Sequence, residues 1–397
     1  MHLNRKITDL RKSEQAPLVP SIHIEERMSE KDFPKEAFEN ALEAEDLAVA
    51  MRTVGIAPKE RTWRDEEYDD RLALITVWYG GRNELRKHAT MTAIYDWNKQ
   101  EEKPDDAIFL ELVCPGDESS FEQDELPKWI RYMRIYGKER NRNLFQKEAM
   151  WNLAAKYTNA GKLLFLDSDV SMVDELHYFS KMKDAIKDGT VVHACFKLQQ
   201  DGYEEDSYYH DMYSVMAPKE MIPRGRGTFP GIGYGLTRKD FHDRDGFQPF
   251  SIAGSGDVVF LWETCPEVHL TIGAALRFHE SIIRPGLPHL KPVALDVTLL
   301  HNFHGKKEDR AYVWSREAVI LFGLPFSYTH IDSSGLLAWN DPDFILKEIV
   351  MCKNRMHDKD DLYSLVCEVV KKRLDAQERN IKERGIHFDK RDLNVND

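Results

Sequence analysis

The segment Lys162-Leu-Leu-Phe-Leu-Asp-Ser-Asp-Val-Ser-Met172 constrains the fold of this chain more than any other. Leu163 to Leu166 form a short apolar run, which is typical of a strand buried on both faces of a parallel sheet. Asp167 and Asp169 follow where such a strand leaves the sheet, and alternate residues of an extended chain point to the same side. Both carboxylates can therefore face one hard cation at the edge where open α/β sheets bind ligands. We interpret the segment as an Asp-x-Asp metal site that holds a nucleotide diphosphate. The alternative makes Asp167 a turn residue and Asp169 a helix N-cap.

Strand and helix patterns alternate on either side of this segment, as in a parallel, doubly wound sheet. Strands are predicted over 72–79, 107–113, 129–135, 163–166 and 191–196, helices over 84–97, 143–156 and 174–187, and pocket loops over 201–230. Neither the GxGxxG spacing of a dinucleotide fold nor a GxxxxGK[ST] phosphate loop occurs. A glycine cradle is therefore not expected to bind phosphate, which leaves that role to a metal. The predicted class is α/β, with a Rossmann-like, mixed and mostly parallel sheet flanked by helices.

Composition narrows the class of protein. The 397 residues are 42% hydrophobic and 31% charged, which describes a soluble globular protein. No apolar run approaches the ~20 residues that span a bilayer, and the start of the chain lacks the apolar core of a secretory signal. Five scattered cysteines without a CxxC pair indicate reduced thiols, so we expect a cytoplasmic protein, in the host cytoplasm if it is viral. The net charge of −13 argues against a generic nucleic-acid coat protein.

Three separated motifs over residues 70–305 carry a family resemblance. They are the Leu163–Asp169 stretch with the helix before it, the glycine section from Asp245-Gly246-Phe247 to Gly254-Ser-Gly-Asp257, and His301-x-x-His304. Together they resemble the GT-A-fold glycosyltransferases that use nucleotide sugars, of the family 2-like or galactosyltransferase-like kind. The sequence departs from the common pattern because Asp257 stands alone before two valines, and because the first strand ends in Val77-Trp-Tyr-Gly-Gly81 without a proline.

The resemblance implies a GT-A-like catalytic domain with helical extensions at both ends. Residues 1–70 then form a charged helical extension, 71–305 the catalytic domain, and 306–397 a lid segment followed by a helical C-terminal extension. Within the domain, residues 71–170 correspond to the nucleotide-sugar half and 171–305 to the acceptor half.

The resemblance also implies a metal site and a base. Asp169 is the expected direct ligand, and Asp167 reaches the metal through water or contacts the ribose. His301 and His304 are three residues apart, so both can face one site, and a carboxylate with histidines suits Mn²⁺ better than Mg²⁺. Asp257 is the candidate general base, with a helix N-cap as its structural alternative.

Donor contacts are expected at the ends of the first two strands, on the helix before the Asp-x-Asp segment, and in the segment after His304. The candidate residues are Thr76, Trp78, Tyr79, Arg82, Glu111, Lys147, Asp167 and Lys306. Trp262 is a candidate for stacking on an acceptor ring, with a core position as its alternative.

The expected activity is transfer of a sugar from a nucleoside-diphosphate sugar, UDP-sugar favoured, to an acceptor hydroxyl, with inversion. The acceptor is a glycan or, by likeness to phage-type enzymes, a hydroxymethylated pyrimidine in DNA. Two alternatives stay open: a haloacid-dehalogenase-like phosphatase with Asp167 as nucleophile, and a non-catalytic sugar-nucleotide-binding scaffold. The sequence leaves the sugar, the nucleotide, the acceptor and the oligomeric state open.

Overall fold

The structure is a computed structural model that describes residues 69–79, 84–142, 144–173, 175–202, 210–252, 254–266, 268, 282–302 and 329–340. Its strands are β1 Asp69–Trp78, β2 Asp106–Val113, β3 Arg131–Tyr136, β4 Ala160–Leu166, β5 Val170–Met172, β6 Thr190–His193, β7 Lys197–Gln200, β8 Asp211–Ser214, β9 Gly227–Phe229, β10 Gly233–Thr237, β11 Lys291–Ala294, β12 Thr298–His301, β13 Thr329–Ile331 and β14 Leu337–Trp339. Its α-helices are α1 Glu84–Lys99, α2 Lys147–Ala154, α3 Tyr178–Ala185, α4 Arg238–Asp243 and α5 Gly256–Thr264.

A seven-stranded sheet in the order β11-β6-β10-β4-β1-β2-β3 forms the centre of the fold. Strands β3, β2, β1 and β4 are parallel to one another, while β10 runs antiparallel to both β4 and β6. Gly233, the first residue of β10, therefore lies beside Leu166, the last residue of β4. The loop that leads into β10 thus reaches the edge where Asp167 leaves the sheet.

Helices cover both faces of this sheet, because its strands are apolar on both sides. On one face, α1 and α3 pack through Ile94, Trp97 and Met182 against Leu74 and Phe109. On the other face, the apolar side chains of α2, α4 and α5 join Ile75, Phe165 and their neighbours in a second core. Burial of a parallel sheet on both faces is what near-continuous apolar strands favour.

A second, five-stranded sheet in the order β5-β12-β7-β8-β9 lies beyond the end of β4. Strand β12 pairs antiparallel with β5, so that His301 is opposite Val170. Two segments about 130 residues apart in the chain are thereby brought together directly next to Asp169. Strands β13 and β14 form a separate hairpin.

The predicted fold class is confirmed: the protein is α/β, with a mixed, mostly parallel sheet flanked by helices, as in the GT-A-like fold. Several local predictions were wrong. The 201–230 segment contains β8, of four residues, and β9, of three residues. Strands this short do not show an alternation of apolar and polar residues in the sequence. Strand β5 follows Asp169, so that residue is not a helix N-cap.

The helix before β4 is shorter than the predicted 143–156, because Glu139–Asn141 and Gln146 are engaged elsewhere. A 3₁₀ turn occupies Glu139–Asn141, and the Gln146 side chain bonds the β14 backbone. Residues 1–68 of the predicted helical N-terminal extension lie outside the described residues. So does the predicted lid and helical C-terminal extension, apart from residues 329–340, where the structure has the β13–β14 hairpin. The predicted domain boundaries stay predictions. No helix in the described part of the chain has the length and apolar character to cross a membrane.

Candidate active site

Asp167 leaves β4 at the carboxyl edge of the sheet and forms an ion pair with Lys147, the first residue of α2. The distance from Lys147 Nζ to Asp167 Oδ1 is 3.3 Å, and both side chains are largely buried. Burial raises the pKa of Asp167, and the neighbouring charges of Asp169 and Asp257 raise it further, against the opposing effect of Lys147. Burial alone would lower the pKa of Lys147, but the carboxylates of Asp167, Glu148 and Asp257 together raise it. The site therefore holds a permanent cation among acidic groups.

Asp169 and His301 meet through the pairing of β5 with β12. His301 Nε2 lies 3.7 Å from Asp169 Oδ1, and Asn302 N donates a 2.9 Å hydrogen bond to the Asp169 carbonyl. Two of the four predicted metal ligands are thus neighbours, although they are far apart in sequence.

The donor chemistry of this pair fits a first-row divalent cation such as Mn²⁺, which accepts both carboxylate and imidazole ligands. Within the described ranges, no group of three or more His, Cys, Asp or Glu side chains converges in a way that holds a metal. Of the predicted metal ligands, Asp169 and His301 are therefore the two that lie together in a suitable arrangement. His304, the predicted partner of His301, lies outside the described residues. Metal binding stays a prediction.

Asp257, in the first turn of α5, is a third acidic residue near Asp167 and Lys147. The N-cap of this helix is Ser255, so the alternative interpretation of Asp257 as the N-cap is wrong. The carboxylate packs on the backbone of Gly231, where an added β-carbon would lie 2.5 Å from Asp257 Oδ2. Its charge acts on Lys147, Glu148 and Asp167, which places it in the same electrostatic unit.

The backbone from Pro230 to Ile232 runs between Asp257 and Asp167. Ile232 has a φ of 76°, which is unusual for a β-branched residue, and its carbonyl accepts a 2.8 Å hydrogen bond from Asp167 N. Strained backbone of this kind persists only where surrounding contacts hold it, and it is common at functional sites.

The side chain of His193 forms a hydrogen bond with this strained segment. Its Nε2 donates to the Gly231 carbonyl at 2.6 Å, so in the neutral ring Nδ1 accepts from the Ser214 hydroxyl, also at 2.6 Å. The ring is fully buried and stacks on Tyr234 at 5.4 Å. Burial lowers the pKa of His193 to about 4, which keeps the ring neutral at physiological pH.

Glu148, the neighbour of Lys147 on α2, was not among the predicted site residues. It is 1% exposed, and neither of its carboxylate oxygens has a hydrogen-bond partner. Burial raises the pKa of Glu148 to about 7, against the opposing effect of Lys147. Its sequence context gives little signal, since a Lys-Glu pair at the start of a helix usually indicates a solvated turn.

The β13–β14 hairpin fixes the start of α2. Gln146 Nε2 donates to the Leu337 carbonyl at 2.8 Å, and Gln146 Oε1 accepts from Leu337 N at 3.0 Å. Asn141 donates to Asp332 Oδ2 at 2.9 Å, and Trp339 Nε1 donates to the Arg142 carbonyl at 3.1 Å. These bonds set the place of the two residues that follow, Lys147 and Glu148.

The predicted donor residues at the end of β1 are packed into the protein. Trp78 is fully buried, and its Nε1 donates to Ser120 Oγ at 2.9 Å. Thr76 is also buried, with no partner for its hydroxyl. Tyr79 lies close enough to the site for Lys147, Glu148 and Asp167 to act on its phenol, and burial raises its pKa. Their donor contacts stay predictions.

Arg86 is a cation at the same edge that the sequence interpretation overlooked. Its guanidinium lies 4.5 Å from the Trp78 ring centroid and 5.2 Å from that of Tyr79, and it donates to the Tyr79 carbonyl at 2.8 Å. A cation above aromatic rings at the start of a helix carries no sequence signature of its own.

Glu111 is committed to internal hydrogen bonds in this structure. It is 1% exposed and accepts from Ser119 Oγ at 2.7 Å, from Ser120 N at 2.6 Å and from the Tyr132 hydroxyl. The carboxylate therefore anchors the loop after β2, and its predicted contact with the nucleoside stays a prediction. Trp262 is half-buried on α5. Arg82 and Lys306 lie outside the described residues.

Neither a protein-family model nor a curated protein sequence matches the chain. Among solved structures, it is similar to S. aureus TarS residues 1–349 in complex with UDP, at 12% identity over 72% of this chain and 70% of that chain, with a TM-score of 0.35. A second structure of TarS 1–349, in complex with UDP-GlcNAc, matches at 11% identity over 72% and 71% of the two chains, also with a TM-score of 0.35. A longer TarS structure matches at 11% identity over 64% of this chain and 40% of that chain.

Proposed function

We propose that the chain is a glycosyltransferase that moves a sugar from a nucleoside-diphosphate sugar, UDP-sugar favoured, to an acceptor hydroxyl with inversion. The observation that carries this proposal is the convergence of Asp167, Asp169 and Asp257 with Lys147 at the carboxyl edge of the sheet. The acidic residues come from different elements, and the lysine is already neutralised by Asp167 in the free protein. Such a site has both an anion-binding cation and a carboxylate facing it, which sugar transfer from a diphosphate requires.

The leaving group is the first chemical problem of this reaction. When the bond between the anomeric carbon and the diphosphate oxygen breaks, negative charge accumulates on that oxygen. Lys147 is held within reach of Asp167 and can stabilise the charge where it develops. A divalent cation held by Asp169 and His301, with His304 as the predicted further ligand, supplies additional Lewis-acid stabilisation when bound.

The acceptor hydroxyl is the second problem, because it must lose its proton as it attacks. Asp257 belongs to α5, and in this proposal it accepts that proton as the new bond forms between the acceptor oxygen and the anomeric carbon. Attack from the side opposite the leaving diphosphate inverts the anomeric centre. Gly231 has no side chain that would displace this carboxylate from the backbone on which it packs.

The phosphatase alternative is disfavoured by the place of Asp167 in the chain. The phosphoaspartate nucleophile of that family follows the first strand of its domain, whereas β1, β2 and β3 precede the strand that Asp167 follows. We retain both proposed acceptors, a glycan and a hydroxymethylated pyrimidine in DNA, as candidates for the acceptor screen.

The test is release of nucleoside diphosphate from a panel of UDP- and GDP-sugars, with Mn²⁺ and with EDTA. UDP-GlcNAc, which is bound in one TarS structure, is the first donor to include. We expect metal-dependent release of one nucleoside diphosphate by the wild type, and its loss in Asp169→Ala. Asp184→Asn, at an exposed position on α3, is the control variant and should behave as the wild type, because α3 packs on the opposite face of the sheet from α2 and α5. The absence of both release and binding for every nucleotide sugar would refute the proposal.

A further inference from the structure

The buried Glu148 carboxyl group has no hydrogen-bond partner and therefore needs an explanation. A carboxylate without partners is costly to bury, and native proteins rarely retain one without a role. Its side chain does not point to solvent, and both oxygens are shielded. Glu148 consequently cannot touch a substrate directly as the protein stands, and any role in the reaction must act through its neighbours.

The neighbour that Glu148 touches is Gly256, the first residue of α5. A β-carbon added at Gly256 would lie 2.0 Å from Glu148 Oε1 and 2.1 Å from Cδ, so the carboxyl group occupies the place of a side chain there. Only glycine fits at this position. The second glycine of Gly254-Ser-Gly-Asp257 is therefore required by packing against Glu148, whether or not a ligand binds nearby.

The contact falls at the first turn of α5, where Asp257 Oδ1 accepts a 3.0 Å hydrogen bond from Val258 N. The N-cap residue Ser255 is in the left-handed region with a φ of 72° and makes no side-chain cap hydrogen bond. The first N–H groups of a helix have no partners within the helix, and the N-terminus carries partial positive charge. An acidic group placed there stabilises the first turn, and Glu148 is the acidic group of another helix that reaches it.

We infer that Glu148 is a positioning residue that fixes the first turn of α5, and with it Asp257, relative to Lys147 and Asp167. Adjacent residues of α2 then serve the two sides of the reaction: Lys147 contacts the aspartate of β4, and Glu148 contacts the helix that carries the candidate base. The role assigned to Asp257 rests on the proposed function. The contact between Glu148 and Gly256 does not depend on it.

The contact is tested by a double-mutant cycle on the full chain, read as the midpoint of thermal unfolding. Gly256→Ala should lower the midpoint by about 5 °C or more in the wild-type background, because overpacking at a buried site is destabilising. In the Glu148→Ala background the same substitution should cost little, since the space of the carboxyl group is then empty. Equal effects of Gly256→Ala in both backgrounds would overturn the inference.

The positioning role is tested by donor turnover and UDP affinity, measured separately. Glu148→Ala should lower the turnover of donor hydrolysis by roughly 100-fold, the loss expected from misplacing a catalytic group by about 1 Å. UDP affinity should stay within about threefold of the wild type. The removed contact acts on the helix that carries the base, and Lys147 loses one neighbouring charge but keeps its ion pair with Asp167. Glu148→Gln keeps the shape and should recover most of the turnover. Asp184→Asn again serves as the control.

The outcomes separate this inference from the proposed function. A wild type without donor turnover would refute the proposed function, and the assigned effect on Asp257 with it, while the unfolding cycle would still decide whether the contact exists. A wild type that turns over the donor while Glu148→Ala loses affinity and turnover equally would overturn the positioning role alone.

Discussion

Acidification from pH 7 to pH 5 should destabilise the protein through His193, the buried ring that holds the Gly231 carbonyl. In the folded protein the pKa of His193 is lowered to about 4, mainly by burial, from the ordinary value of 6.5. The unfolded chain therefore binds a proton at higher pH than the folded protein does. The stability that neutral His193 provides is complete above pH 6.5 and is lost as the pH falls from 6.5 towards 4.

The size of this effect follows from the two pKa values. Between pH 7 and pH 5, linkage gives a loss of about 2 kcal/mol in the free energy of unfolding, and the full loss below pH 4 is about 3.4 kcal/mol. Protonation at Nδ1 also converts an acceptor into a donor facing Ser214 Oγ, so the hydrogen bond that Ser214 now donates must rearrange.

The assay is urea unfolding of the wild type and His193→Asn at pH 7, 6 and 5. The asparagine amide retains a donor and an acceptor but does not titrate, so the difference between the two pH profiles isolates the histidine. Glu148 changes the free energy of unfolding in the opposite direction, because its pKa is raised to about 7 and the stabilisation from its protonated form is lost as pH rises. This contribution is the same in both proteins and cancels in their difference. If both proteins lose the same stability within about 0.5 kcal/mol, the buried histidine does not titrate as the structure implies.

Two further substitutions probe α5 and the residues that pack on it. Arg284→Met should lower the free energy of unfolding by about 3–5 kcal/mol, measured in urea, because it leaves Glu263 buried and unpaired where the two now form a 2.7 Å ion pair. The control Lys239→Met removes an exposed i,i+4 pair with Asp243 and should cost less than about 1 kcal/mol, and equal losses would contradict the reasoning. Asp257→Asn should lower donor turnover by about 10²-fold or more with UDP affinity preserved, as titration with UDP and donor hydrolysis would show; a parallel loss of affinity would contradict its role as base.

The central strand and its aspartates were predictable from sequence because their signal is local. Four apolar residues followed by Asp167 and Asp169 define both a buried strand and the edge at which it ends. The structure has this strand as β4, and its alternation with helices is what identified the fold class. The meeting of Asp169 with His301 was predictable as a shared site, although the antiparallel pairing of β5 with β12 that achieves it was not.

Glu148 and His193 were missed because their meaning depends on what packs against them. Glu148 follows a lysine at a helix start and resembles a solvated residue, and only the folded chain places Gly256 against its carboxyl group. His193 gave a better signal, since it interrupts the apolar strand Val191-Val-His-Ala-Cys-Phe196. A polar ring in a strand buried on both faces must find hydrogen-bond partners, and the partners here belong to β8 and the loop before β10.

The charged cluster should respond to mutation as one unit, because a single lysine serves several acidic groups. The charge of Asp257 raises the pKa of Asp167 and of Glu148, and all three raise that of Lys147. Lys147→Met therefore leaves acidic groups in mutual repulsion and should destabilise the protein, whereas Asp257→Asn relieves part of that repulsion.

In a double-mutant cycle measured by urea unfolding at pH 7, Lys147→Met should cost less in the Asp257→Asn background than in the wild type. Coupling energies within one charged network are typically about 0.5–3 kcal/mol. Costs that add within about 0.3 kcal/mol would mean that Lys147 serves Asp167 alone. Lys147 and Asp257 would then be electrostatically independent, contrary to the effect of Asp257 on the pKa of Lys147.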